Sequence, residues 1–171
     1  MADFKTAFAW AMTSEDPLLH YAAVKDLPAG SFAISGINSH YFPEDFNKIS
    51  LIAQAERGPA VEQFYEDHFW NVWFDRLESD EVAKRVFDCG INEGPETAVK
   101  LLQRAIEAVS GITGGVDGIW GWNTLERANN CNPDMLAAAF RQARAQAYRD
   151  IVKAIPKDAG DLPGWLARAE K

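Results

Sequence analysis

Cysteine is scarce in this chain: Cys89 and Cys131 are the only two among 171 residues. Two thiols are too few for a disulfide framework, and neither stands in a metal-binding spacing, so both are expected to be free. Basic residues are outnumbered as well, 17 Lys and Arg against 25 Asp and Glu, which leaves a net charge of −8. Nucleic-acid binding draws its affinity from clustered Lys and Arg that displace counterions. No basic stripe is present, and nucleic acid is excluded as a partner. No stretch approaches the roughly 20 consecutive apolar residues of a membrane span, so no membrane insertion is expected. The opening MADFKTAFAWAM has one Lys, an interrupted apolar run and no small-residue cleavage site, which does not fit a secretory signal. Also missing are a G-x-S-x-G elbow, a Gly-Lys-Ser/Thr after the glycines of 111–118, and zinc or calcium patterns. His20, His40 and His68 are scattered without ligand spacing. These absences set aside nucleophilic-triad, phosphate-loop and metal chemistry, and no cofactor or metal is expected.

What the chain does have is apolar content of 47%, six Trp and ten Phe, enough for one domain with a sizeable core. Aromatics bring large buried area and flat surfaces that stack on sugar rings; core packing accounts for most of them equally well. Apolar residues at helical spacing predict helices over Lys5–Met12, around Leu51–Glu56, over Ala60–Arg76, from Ser79 to about Gly90, and over the Pro95–Val109 stretch. Further helices are expected to begin near Leu125, to run over Pro133–Lys153 with Arg141, Arg144 and Arg149 facing water and Ile151 facing inward, and to close the chain around Leu162, Trp165 and Leu166. Tyr21–Asn38 is different. Its Gly, Pro and Ser content and the alternation at Phe32, Ile34 and Ile37 predict a short hairpin or irregular lobe. The sum is a mainly α fold with one small irregular or β-hairpin lobe.

With other chemistries set aside, carboxylates remain. Pro17 cannot continue the first helix, so Glu15 falls at a rigid helix end, anchored by Phe8, Ala11 and Met12. Taken alone, an acid there is most often merely solvated. Asp26, in KDLPAG, is the second acid of interest; a turn residue capping its own backbone is the plainer alternative. In the stripe of the helix expected over Ala60–Arg76, Tyr65 or Trp70 stands at the edge, where it can line a groove.

An ordered set of short motifs gives these residues context: Phe69-Trp70, Phe87-Asp88, Ile91-Asn92-Glu93-Gly94, Ala98–Ala105 with its Leu-Gln pair, Val116–Gly121, Thr124-Leu125, Tyr148-Arg149 and Gly164–Arg168. In this order they resemble the predicted peptidoglycan domain that follows the catalytic segment in glycoside hydrolase family 108, the phage and bacterial N-acetylmuramidases. Upstream, Glu15-Asp16-Pro17, Asp26–Gly30 and Ser35–Asn38 are similar to a divergent form of that family's N-terminal signature, with its double glycines lost and its spacing lengthened.

The resemblance implies a lysozyme-like single domain, with residues 1–60 as catalytic segment and 61–171 as helical segment packed on it as one globular unit. It implies cleavage of the bond between N-acetylmuramic acid and N-acetylglucosamine, with Glu15 as general acid, Asp26 as candidate second carboxylate, and Tyr21, Asn38, Tyr65 and Asn92 as substrate contacts. A general acid must keep its proton near neutral pH, and Phe8, Met12 and Tyr21 are the apolar neighbours expected to penalise its charge. The expected partner is bacterial peptidoglycan, met by a monomer that is made in the host cytoplasm and released to the periplasm by a holin-type route. Two alternatives stay open: a non-catalytic peptidoglycan-binding module, and a lytic transglycosylase that uses the same acid without water.

Overall fold

The structure is a computed structural model that describes residues 1–171. Eight α-helices and one three-stranded antiparallel sheet make a mainly helical fold with a small β lobe, as the periodicity predicts. The chain divides into two compact units, Phe4–Asn71 and Val72–Lys171, the latter including Met1–Asp3.

In the first unit, α1 (Phe4–Glu15) buries Ala7, Phe8, Ala11 and Met12 along one stripe. Strands β1 (Ala23–Asp26), β2 (Ser31–Ile34) and β3 (Ile37–Asn38) form the lobe, with Ala23 paired to Ile34 and Ile34 to Ile37. Helix α2 spans Pro43–Ser50, earlier than the helix expected around Leu51–Glu56, where only a 3-10 turn at Gln54–Glu56 occurs. Pro43 pre-sets the first helical turn, and Glu44 and Asp45 favour its positive end.

Helix α3 (Gly58–Phe69) stops sooner than the apolar pattern suggests, because Trp70 turns to an extended conformation and the pattern continues across the break into a 3-10 turn at Phe74–Arg76. The boundary between the two compact units follows α3. Tyr65 holds this helix to the first unit: its ring lies 5.7 Å from that of Phe8 and its hydroxyl donates to the Ser35 carbonyl at 2.7 Å.

The second unit is built on α4 (Asp80–Glu93), α5 (Pro95–Ser110), α6 (Trp122–Asn129), α7 (Pro133–Ala154) and α8 (Leu162–Glu170), with α7 packed on α4, α5 and α8. Ser79 caps α4 by accepting from the Val82 N–H, a contact worth about 1 kcal/mol. Gly94, at φ +90°, turns the chain into α5. Asn132 caps α7, accepting from the Asp134 and Met135 N–H groups.

The glycine-rich loop before α6 is clamped by one buried side chain. Gln103 donates to the Asp117 carboxylate at 2.7 Å and the Thr124 hydroxyl at 3.0 Å, and accepts from the N–H groups of Asp117 and Gly118. Helix α6 starts at Trp122, three residues ahead of the expected start.

The outward facing of Arg144 is corrected by the structure: it is only 2% exposed, whereas Ile151, expected inside, is 37% exposed. Arg144 donates to Asp88 and to Glu93, each at 2.7 Å, and Arg168 donates to the other oxygen of Asp88 at 2.8 Å. Paired charge, rather than apolar character, lets this residue enter the core.

Candidate active site

Glu15 is the last residue of α1. The Asp16 N–H still bonds back to Met12, and then Pro17 ends the helix. Its partner across the unit is the β2–β3 turn, where Ser35 and Gly36 both take positive φ, +47° and +84°, as a two-residue type I′ hairpin requires. A β-carbon on Gly36 would lie 2.5 Å from the Glu15 Oε2 and 2.6 Å from the Tyr65 hydroxyl. The carboxyl group, the phenol and a bare glycine Cα thus converge on one point. Only glycine leaves room for the other two.

The surroundings are held rigidly. The Asp16 carboxylate accepts from the N–H groups of His20 and Tyr21 and from the Ser35 hydroxyl, at 3.1, 2.8 and 2.7 Å. Burial opposes its charge, but the Ser35 hydroxyl and these N–H groups outweigh burial and keep the carboxyl below its ordinary range. Leu19 and Tyr21 are two further non-glycine residues at positive φ. Arg57 fastens this strained loop, donating to the Tyr21 carbonyl at 2.7 Å and to those of Ser50 and Ile52, each at 3.1 Å. The three non-glycine residues with left-handed backbone therefore all lie in the segment that follows Glu15 or in the turn that meets it. Such strain persists where surrounding contacts over-determine it, and it gathers at functional sites.

Asp26 lies elsewhere in the lobe. It ends β1 opposite Ser31, three residues beyond the Ala23–Ile34 pair at the base of the Ser35-Gly36 turn, about 10 Å along a strand. Its two oxygens accept from the Leu27 N–H at 2.8 Å and the Asn38 amide at 2.7 Å. Asn38 is buried and also donates to the Leu27 carbonyl while accepting from the His40 N–H, so its amide is committed to the lobe.

Tyr21 is half-buried beside Gly58, where burial and then Asp16 and Glu62 push its phenol up. Tyr65 is 1% exposed and meets Glu15 from the core side, not from a groove edge. Asn92 belongs to the second unit and accepts from the Tyr148 hydroxyl at 2.8 Å. Of the six expected residues, the structure brings Glu15 and Tyr65 together; Asp26 and Asn38 form a second pair. Ser35, Gly36 and Arg57 have roles that composition did not signal, although Ser-Gly between two Ile residues is a hairpin signature.

The cysteines add no rival chemistry. Burial, with Glu93 beside it, pushes the Cys89 thiol well up, which leaves it protonated and inert. No helix is long and apolar enough to cross a membrane.

Comparison with known proteins adds two findings. Residues 97–170 match a family described as a predicted peptidoglycan domain, which relates this chain to peptidoglycan. The fold is similar to that of SagA from Brucella abortus, with a TM-score of 0.60 and 20% identity over 97% of this chain and 92% of the other. No curated protein matches.

Proposed function

We propose that this chain is a peptidoglycan hydrolase of the N-acetylmuramidase type, in which Glu15 is the general acid. The observation that carries the reading is the seating of the Glu15 carboxyl between Tyr65 and the bare Cα of Gly36, on a core-anchored helix end. In the proposed reaction Glu15 gives its proton to the oxygen that joins N-acetylmuramic acid to N-acetylglucosamine. The bond from the muramic C1 to that oxygen breaks, positive charge develops on the sugar, and water adds at C1 while giving a proton back to the Glu15 carboxylate. Tyr65 donates its own proton to the Ser35 carbonyl, so it fixes the acid's position without competing to protonate substrate. Asp26, bound at both oxygens at the far end of the hairpin, serves the turn, and the proposed reaction runs through Glu15 without a second carboxylate. A role as a holin-released phage endolysin rests on the sequence resemblance.

The test is mass spectrometry of purified sacculi after digestion. Hydrated, reducing N-acetylmuramic ends are the expected products. Anhydromuramic ends would replace the hydrolase by a transglycosylase. Sedimentation with sacculi and no fragments would favour a binding module, the second reading, which the match over residues 97–170 supports.

The glycine offers a separate handle. Gly36→Ala is expected to cost about 1–2 kcal/mol through its left-handed backbone alone. By displacing the Glu15 carboxyl it should lower lysis by about a hundredfold, the scale of a 1 Å misplacement. Melting temperature and clearing of sacculi suspensions, measured on the same sample, separate the two effects. Wild-type lysis by the variant would show that the seat does not position the acid.

A further inference from the structure

The second unit carries an open groove of about 430 Å³ lined by Glu78, Trp122, Leu125, Glu126, Asn129 and Asn130, a size within the roughly 300–1,000 Å³ range of ligand sites. At its wall stands Trp122, 62% exposed at the start of α6. An exposed Trp has a cost in water, and this one is also held in place. The Arg76 guanidinium lies 4.8 Å from its ring centroid, and the Trp73 ring meets it edge-on at 5.4 Å and 85°. Asn129 fixes that support, donating to the Arg76 carbonyl at 3.0 Å and accepting from the Glu78 N–H at 3.1 Å. The indole is a pre-positioned flat surface.

We propose that this groove is a saccharide-binding subsite, separate from Glu15, that takes an uncharged N-acetylated hexosamine unit of a glycan strand. A hexosamine presents an apolar ring face to stack on indole, and hydroxyl and amide donors for carboxylates and amides to accept. The Glu78 and Glu126 carboxylates and the Asn130 amide are not engaged by any other side chain and line the same groove. Two carboxylates line the groove against the single Arg76 guanidinium that backs the indole, a net negative lining that disfavours ligands carrying carboxylates of their own. The site therefore selects the N-acetylglucosamine unit over the muramic unit and its acidic stem peptide. Next to it, sharing Glu78 and Asn129, lies a pocket of about 220 Å³ floored by Leu77, Val82 and Leu136, which suits the acetamido methyl group. The choice of a glycan rests on the peptidoglycan reading; the platform itself rests on geometry.

Titration of the full chain with tetra-N-acetylchitotetraose, followed by calorimetry and tryptophan fluorescence, tests it. Trp122→Ala should weaken binding at least about tenfold, Trp122→Phe should restore most of the affinity, and Glu126→Ala, an exposed change, should weaken binding with an unchanged melting temperature. No binding by the wild-type chain, or equal binding by Trp122→Ala, would overturn the proposal. Co-sedimentation with sacculi separates its fate from that of the peptidoglycan reading. Tetrasaccharide binding through Trp122 without sedimentation upholds the subsite and removes peptidoglycan as its source. Sedimentation that is the same for wild type and Trp122→Ala, with tetrasaccharide binding equally unaffected, removes the subsite alone.

Discussion

Glu15→Gln is expected to lower the release of reducing ends from sacculi by about 10²- to 10⁴-fold, the span that a positioned general acid contributes, with melting unchanged to within about 0.5 kcal/mol. The amide matches the carboxyl in size, so the fit against Gly36 and the Tyr65 hydroxyl survives, and only the transferable proton is lost. Glu15→Asp complements it. The acid is retained but drawn back by a methylene, away from the point where the turn holds it, and about a hundredfold loss is expected from misplacement alone. Asp26→Asn gives the contrast, since its oxygens serve the Leu27 N–H and the Asn38 amide; a modest loss of stability with lysis largely kept is the expected outcome. Full lysis by a correctly folded Glu15→Gln chain would sink the assignment. If Asp26→Asn abolishes lysis at unchanged stability, the second carboxylate is Asp26 after all.

The parts of this structure that were legible in the sequence are those encoded locally. Ser79 before an apolar stripe, Gly94-Pro95 between two stripes and Gly111 after the second fix α4 and α5 to within a few residues, because each signal acts on the backbone beside it. The motifs behind the family resemblance are legible for another reason: they meet in space. Gln103 of the Leu-Gln pair clamps Asp117-Gly118, Asp88 pairs with Arg168, and Asn92 accepts from Tyr148, whose ring lies 5.4 Å from that of Trp165. Those motifs therefore meet in a packed scaffold, in which Asn92 holds Tyr148.

What could not be read was set by contacts far apart in sequence. Glu15, Gly36 and Tyr65 come together across a sheet and two helices, and no local pattern records it. The end of α3 at Phe69 is equally hidden, since apolar spacing runs on through Val72 and Trp73 without a Pro or Gly to mark the stop.

The burial of Arg144 has the same origin and the second large consequence. Arg144→Ala is expected to destabilise the protein by about 3–5 kcal/mol, the cost of leaving buried partners without their counter-charge. Asp88 is 0% exposed and keeps only Arg168, while Glu93 loses the donor that holds its Oε1 at 2.7 Å. The guanidinium also stacks 5.7 Å from the Tyr148 ring, so packing is lost together with charge. At about 2–4 °C per kcal/mol for a chain of this length, melting should fall by roughly 10 °C, with urea denaturation giving the free energy directly. A double change of Arg144→Met and Glu93→Gln, which leaves the Asp88–Arg168 pair in place, separates charge from shape. Removing the opposed charges together should recover much of the loss, because the desolvation cost of that ion pair goes with them. A loss below about 1 kcal/mol for Arg144→Ala would mean that Arg168 alone satisfies Asp88 and that the salt-bridge network does not hold α4 to α7.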